Sequence, residues 1–116
     1  MKYRMLDLFS GLGGASEAMI NDPSWDVIRI ENNPLLKEVD QTRLLDVKEW
    51  PDWIDDLGPF DLVWASPPCL EFSDAYNAPK SRAKRSGVRY DPDLSLVKAA
   101  KEIIDVINPS WWVIEN

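Results

Sequence analysis

With 116 residues, 45% of them apolar, six tryptophans and a formal charge of −7, the chain is long enough for one core and short for two. A single cysteine excludes an internal disulfide, and the absence of histidine removes the commonest zinc ligand and the commonest general base. Net acidity argues against a protein that simply coats nucleic acid. No apolar stretch approaches the ~20 residues that cross a bilayer, and Met1-Lys2-Tyr3-Arg4 leads into a strand-like run, so a soluble cytoplasmic protein without membrane contact is expected.

In chain order, an apolar run from Tyr3 to Phe9 predicts a strand, and Ser10-Gly11-Leu12-Gly13-Gly14 predicts a turn into a helix from about Ala15 to Ile20. Trp25 to Ile30 alternates as a second strand, after which Asn33 can cap a helix with Pro34 at its first position. A short third strand fits Arg43 to Val47. Pro51 opens a short helix through Leu57, and Gly58-Pro59 breaks it before a fourth strand, Phe60 to Ala65. That strand runs into Ser66-Pro67-Pro68-Cys69. Glu71 to Tyr90 shows no period and predicts a long loop, the kind of segment that more often has a function than not. Asp93 caps a helix in which Val97, Ala100, Ile104 and Ile107 share a face, Asn108-Pro109 stops it, and Trp111 to Ile114 makes a fifth strand.

Strands alternating with helices predict a doubly wound parallel sheet, in which ligands bind beyond the carboxyl ends of the strands near the switch point. The chemically suggestive residues fall at those ends: Gly11 to Gly14, Glu31, Asp46, Cys69 and Glu115. Glycines after a strand let backbone approach a ligand, although a tight connection needs them equally. Glu31 can accept bonds from two ribose hydroxyls, or simply face water. Asp46 can accept from an adenine amino group, or cap the turn that follows. The three together describe an adenosine-bearing ligand. A lone cysteine is most often a small buried hydrophobe, but Cys69 follows two backbone-fixing prolines at a strand end, an arrangement that suits a nucleophile. Glu115 ends an apolar strand and is either a desolvated carboxyl that can hold or share a proton or simply an exposed residue. Between Lys80 and Arg89 lie Lys80, Arg82, Lys84, Arg85 and Arg89 with no acid among them, a solvated loop or a set of phosphate contacts.

Asp7-Leu8-Phe9-Ser10-Gly11-Leu12-Gly13-Gly14, then Ser66-Pro67-Pro68-Cys69 with Phe72-Ser73, then Glu115-Asn116 resemble, in order and spacing, three motifs of the DNA cytosine-5 methyltransferases. Asp93-Leu94 resembles a further one. The resemblance spans essentially the whole chain and implies a Rossmann-like S-adenosylmethionine-dependent methyltransferase sheet of about five parallel strands in the order 3-2-1-4-5. It implies that Phe9, Gly11, Gly13 and Pro68 line the S-adenosylmethionine site, with Glu31 on the ribose, Asn32 beside the adenine and Asp46 on its amino group. Cys69 is implied as the nucleophile that attacks C6 of a cytosine flipped out of double-stranded DNA, and Glu115 as the group that steadies the base at N3 and its amino group. The basic stretch occupies the place of the mobile loop that closes on DNA, and Ser73 joins it as a nucleic-acid contact.

Two departures from the family pattern stand out. Leu70 follows the cysteine where glutamine is usual, and the family's arginine-containing motif, target-recognition region and last motifs are not present. The expectation is therefore the N-terminal part, residues 1–116, of a cofactor-binding catalytic domain, with a second polypeptide or self-association through the edge strand completing it. A transfer-RNA cytosine-5 methyltransferase shares the Pro-Pro-Cys arrangement, and a non-catalytic remnant that binds cofactor or a partner is the alternative of a different class. The amino-group methyltransferases place an aromatic residue where Cys69 stands.

Overall fold

A computed structural model describes residues 1–68, 79–87, 89 and 93–115. Five parallel strands, β1 (Tyr3–Leu8), β2 (Trp25–Glu31), β3 (Thr42–Leu44), β4 (Leu62–Ala65) and β5 (Trp111–Ile114), form one sheet in the order β3-β2-β1-β4-β5. This is the doubly wound sheet that the alternation of elements predicts.

The central strand β1 has Met5 to Leu8 buried, since it is covered on both faces. Leu6, Leu8, Ile30, Val63 and Ala65 form the floor of the main core, which α2 (Ile54–Leu57) and α4 (Ser95–Ile107) cover. Met5, Val27 and Leu62 make a smaller cluster on the opposite face, against Met19 and Ile20 of α1 (Glu17–Ile20).

Ala99, Ala100, Ile103 and Ile104 are the buried residues of α4; Ala100 and Ile104 belong to the predicted face, and Ile107, also on it, is partly buried against the core. Ile103 is fully buried, and truncating it to Ala would cost about 2–5 kcal/mol. At the helix start, the Asp93 carboxylate accepts the Ser95 N–H at 2.9 Å, while Leu94 itself occupies the cap position. At its end Asn108 takes a left-handed conformation, φ 52°, and donates its N–H to Ile104 O at 2.8 Å.

Four predicted elements differ from those observed. β3 covers only Thr42–Leu44 because Asp46 turns the chain, its carboxylate accepting the Lys48 N–H at 2.9 Å and capping a 3-10 helix, Val47–Asp52. Pro51 lies inside that 3-10 helix, and α2 begins only at Ile54 after a break at Trp53. Within the predicted loop, Pro79–Arg85 forms a helix, α3, with Pro79 at its first position. It buries no residue, so no apolar period announces it. Asn33 does cap with Pro34 behind it, but the product is a single 3-10 turn, Pro34–Leu36.

Candidate functional site

The ladder continues one step past the strand ends and so sets the crevice loops. Ser10 N–H bonds Ile30 O at 3.0 Å, Ser66 N–H bonds Leu8 O at 3.1 Å and Glu115 N–H bonds Ala65 O at 2.8 Å. After β1 the backbone turns left-handed at Phe9 (φ 58°), Gly11 (φ 55°) and Gly13 (φ 89°). The turn brings the Gly11 N–H to the carboxylate of Glu31, 3.0 Å from Oε1, while the Asn33 N–H donates to Oε2 at 2.9 Å. Glu31 thus bridges the β1 loop and the residues after β2.

Beside this bridge lies a cleft of about 80 Å3. Phe9, Glu31, Asn32, Asp46 and Pro68 line it, so five of the seven residues expected at the cofactor converge on one place from four chain segments. Leu45, Val47 and Leu96 supply apolar wall, and Leu96, the second residue of α4, was not expected there. Whole ligand sites enclose roughly 300–1,000 Å3, so this cleft suits one end of a ligand. A wider hollow between Lys2, Arg4, Asp22, Trp25 and Asp40 lies at the amino ends of the strands, away from the crevice that doubly wound sheets use.

Behind the loop is a buried polar network that the sequence reading did not contain. Asp7 and Arg29 are neighbours in the β1–β2 register and each is 1% exposed. Ser16 stands between them, donating its hydroxyl to Asp7 Oδ2 at 2.6 Å and accepting Arg29 Nε at 2.8 Å. The guanidinium also donates to Gly13 O at 2.7 Å, to Asp40 O at 2.9 Å and to Glu17 Oε2 at 2.9 Å. Glycine at 13 is demanded from inside the fold, because a Cβ there would run into this guanidinium. Burial pushes the Asp7 carboxyl up from its ordinary value, against the Ser16 hydrogen bond and the Arg29 charge that pull it down; its Oδ1 is buried with no hydrogen-bond partner. Glu17, on the surface, is held below its ordinary value chiefly by its bond to Arg29. The alternation of β2 carried the signal for Arg29, which is in phase with the inward residues Trp25 and Val27.

The other expected residues among those described do not line the cleft. Glu115 is exposed just past the end of β5, so it is not the buried carboxyl that an apolar strand end could have made it. Lys80, Arg82, Lys84 and Arg85 are exposed on α3, with Arg89 exposed shortly after it. Cys69 and Ser73 fall outside the described residues, as does Asn116. Pro67 is buried and Pro68 exposed where the chain leaves β4. Among the described residues, no helix is long and apolar enough to cross a membrane.

The fold is a Rossmann-like doubly wound domain with a crevice at the carboxyl ends of its strands. A crystal structure of a "putative DNA modification methyltransferase" encoded within a prophage of E. coli matches this fold with a TM-score of 0.61 at 20% identity, covering 97% of this chain and 31% of that one. The chain belongs to the C-5 cytosine-specific DNA methylase family, whose model matches residues 3–116. It is also 35% identical over 120 residues to a "Probable DNA (cytosine-5)-methyltransferase" of Frog virus 3 (isolate Goorha), a match covering 97% of this chain. It spans about half, 53%, of the length of that relative.

Proposed function

We propose that this chain is the cofactor-binding, nucleophile-bearing part of a DNA cytosine-5 methyltransferase that uses S-adenosylmethionine. The carrying observation is the convergence of Phe9, Glu31, Asn32, Asp46 and Pro68 on one cleft at the strand ends. The donor set fits an adenosine. An ionised carboxylate has about four acceptor positions; Glu31 uses two on the Gly11 and Asn33 N–H groups and keeps capacity for ribose hydroxyls. Asp46, besides capping Lys48, retains acceptor capacity for an exocyclic amino group, and Phe9, Leu45, Val47 and Leu96 offer apolar contact to a planar base. Bound there, S-adenosylmethionine would supply an electrophilic methyl group.

On this reading Cys69, as the thiolate, adds to C6 of a cytosine extruded from double-stranded DNA. The new S–C6 bond pushes electron density onto C5, which would take the methyl group as the cofactor's sulfonium becomes a thioether; loss of the C5 proton to a base then re-forms the C5–C6 double bond and expels the thiolate. Glu115 steadies the base at N3 and its amino group. Exposed Lys80, Arg82, Lys84, Arg85 and Arg89, with Ser73, serve as phosphate contacts. Association along the β5 edge, with a second polypeptide or another copy of this chain, is part of the same proposal.

Titration with S-adenosylhomocysteine tests the cofactor half of the proposal. Hydrogen bonds to charged groups are worth ~1.5–3 kcal/mol, so Glu31→Ala should weaken binding by about ten-fold or more. Equal affinities for the wild type and Glu31→Ala, or no binding by the wild type, would overturn the assignment.

A further inference from the structure

We infer that Arg29 is a positioning residue that locks the orientation of the Gly13–Gly14 peptide, and through it the affinity of the crevice for the adenosine cofactor. This rests on the proposed cofactor reading of the crevice. The argument begins with the peptide itself. Neither residue 13 nor residue 14 has a side chain, so nothing local resists rotation of the plane between them. Its carbonyl is nevertheless held inward. Arg29 Nη2 donates to Gly13 O at 2.7 Å, and the Ser16 N–H reaches the same oxygen at the longer distance of 3.2 Å.

A trans peptide is planar with its C=O and N–H pointing in opposite directions. With the carbonyl turned to Arg29, the Gly14 N–H is turned away from it, toward the exposed side of the loop. Flipping the plane would exchange the two, burying a donor against a guanidinium that only donates. The guanidinium cannot follow such a flip, because Ser16 Oγ, Asp40 O and Glu17 Oε2 hold its other donors and its side chain is 1% exposed. A lysine in its place carries the charge but not the planar fork, and cannot reach these acceptors at once.

A flip also moves φ of residue 14 by about 180°, from the helical region of the 3-10 turn it opens to the positive side. Glycine tolerates that; alanine does not. A Cβ at Gly14 meets nothing within 4 Å in the observed conformation, so alanine there fits the locked peptide and opposes the flipped one.

The experiment is calorimetric titration of the full chain with S-adenosylhomocysteine, with circular dichroism melts reporting folding. Arg29→Lys should raise the dissociation constant about ten-fold or more, the effect of losing a charge-assisted bond. In the Arg29→Lys background, adding Gly14→Ala should recover about five-fold of that loss, because it restores by steric means what the guanidinium did by hydrogen bonding. Wild-type affinity in Arg29→Lys overturns the inference. So does a loss that Gly14→Ala leaves unrepaired, which would mean general loosening of the network rather than a misoriented peptide. Should Arg29→Lys fail to fold, Ser16→Ala removes the Nε partner, together with the hydroxyl's bond to Asp7, and is read the same way, with an expected loss of about three-fold and the same repair by Gly14→Ala. Absence of binding by the wild type is a separate result, which removes the cofactor reading and this inference with it.

Discussion

The two sides of β1 are finished differently at the crevice. Toward β2, side chains join the strand ends: Glu31 bridges Gly11 and Asn33, and Arg29 binds Ser16, Gly13, Asp40 and Glu17. Toward β4 and β5, the bonds seen across the strand ends among the described residues are backbone ones, from Ser66 to Leu8 and from Glu115 to Ala65. Trp111 and Trp112, at the amino end of β5, are 56% and 58% exposed. The half of the crevice assigned to cofactor is thus shaped within the chain, whereas the half assigned to the base lies beside an open sheet edge. A charge network costs more to bury than apolar contact, so its presence on the β2 side points to a requirement for fixed geometry there.

The largest expected effect lies on the β4 side. DNA carrying 5-fluorocytosine should be trapped covalently by the protein, supplied with any completing polypeptide and S-adenosylmethionine, and Cys69→Ala should abolish the adduct. An undiminished yield would place the nucleophile elsewhere. On the β2 side, Glu31→Ala is expected to cost about ten-fold or more in S-adenosylhomocysteine affinity while leaving association of chains unchanged.

The open edge should be sticky. Edge strands offer unpaired backbone groups, and β5 carries no charged residue. Covering ~400 Å2 of apolar surface favours association by about 10 kcal/mol before entropic costs of ~4–15 kcal/mol. Light scattering with size exclusion at ~50 μM, above a weak micromolar dissociation constant, should show oligomers. Trp111→Lys should weaken them by roughly ten- to thirty-fold, since half of a tryptophan surface is worth ~2 kcal/mol. A monodisperse wild-type monomer would contradict this picture of the edge.

The smallest effect concerns Asp7. Its carboxyl is raised in the folded state, so the folded chain holds that proton more tightly than the unfolded one. The associated stability is present below the ordinary value of 3.8 and is lost as pH rises through the folded value. Asp7→Asn, which can still accept from Ser16, should lack that decline. Denaturant unfolding of both proteins from acid to neutral pH measures it, and parallel curves would show that Asp7 does not titrate as described.

Most of the architecture was legible because it rests on periodicity and punctuation. The alternation in Trp25 to Ile30, the apolar run before Ser66 and the Asn108-Pro109 stop each correspond to an observed boundary within a residue or two. Legibility failed where a polar side chain redirects the backbone. Asp46 ended β3 early by accepting the Lys48 N–H, a choice between capping and ligand contact that the residue type leaves open. It failed again at α3, whose helix rests on local propensity without a buried face. In the site, the strand-end residues Glu31, Asn32 and Asp46 were readable from their positions, but Arg29 was not singled out. Its inward phase was visible, yet a buried arginine becomes intelligible only once Ser16, Gly13 and Asp40 are folded around it.

The bridge made by Glu31 has a further meaning on the cofactor reading. Ordering a free glutamate side chain costs up to ~1.5–2 kcal/mol of rotamer entropy, and both oxygens of this one are already tethered before any ligand arrives. A carboxylate that cannot swing also cannot re-form a lost contact elsewhere. A sugar lacking one of its two hydroxyls would leave an acceptor stranded at the crevice, so the same residue that welcomes a ribonucleoside would disfavour a deoxyribonucleoside. For a protein whose two proposed ligands are an adenosine and DNA, that selectivity would keep one out of the other's place.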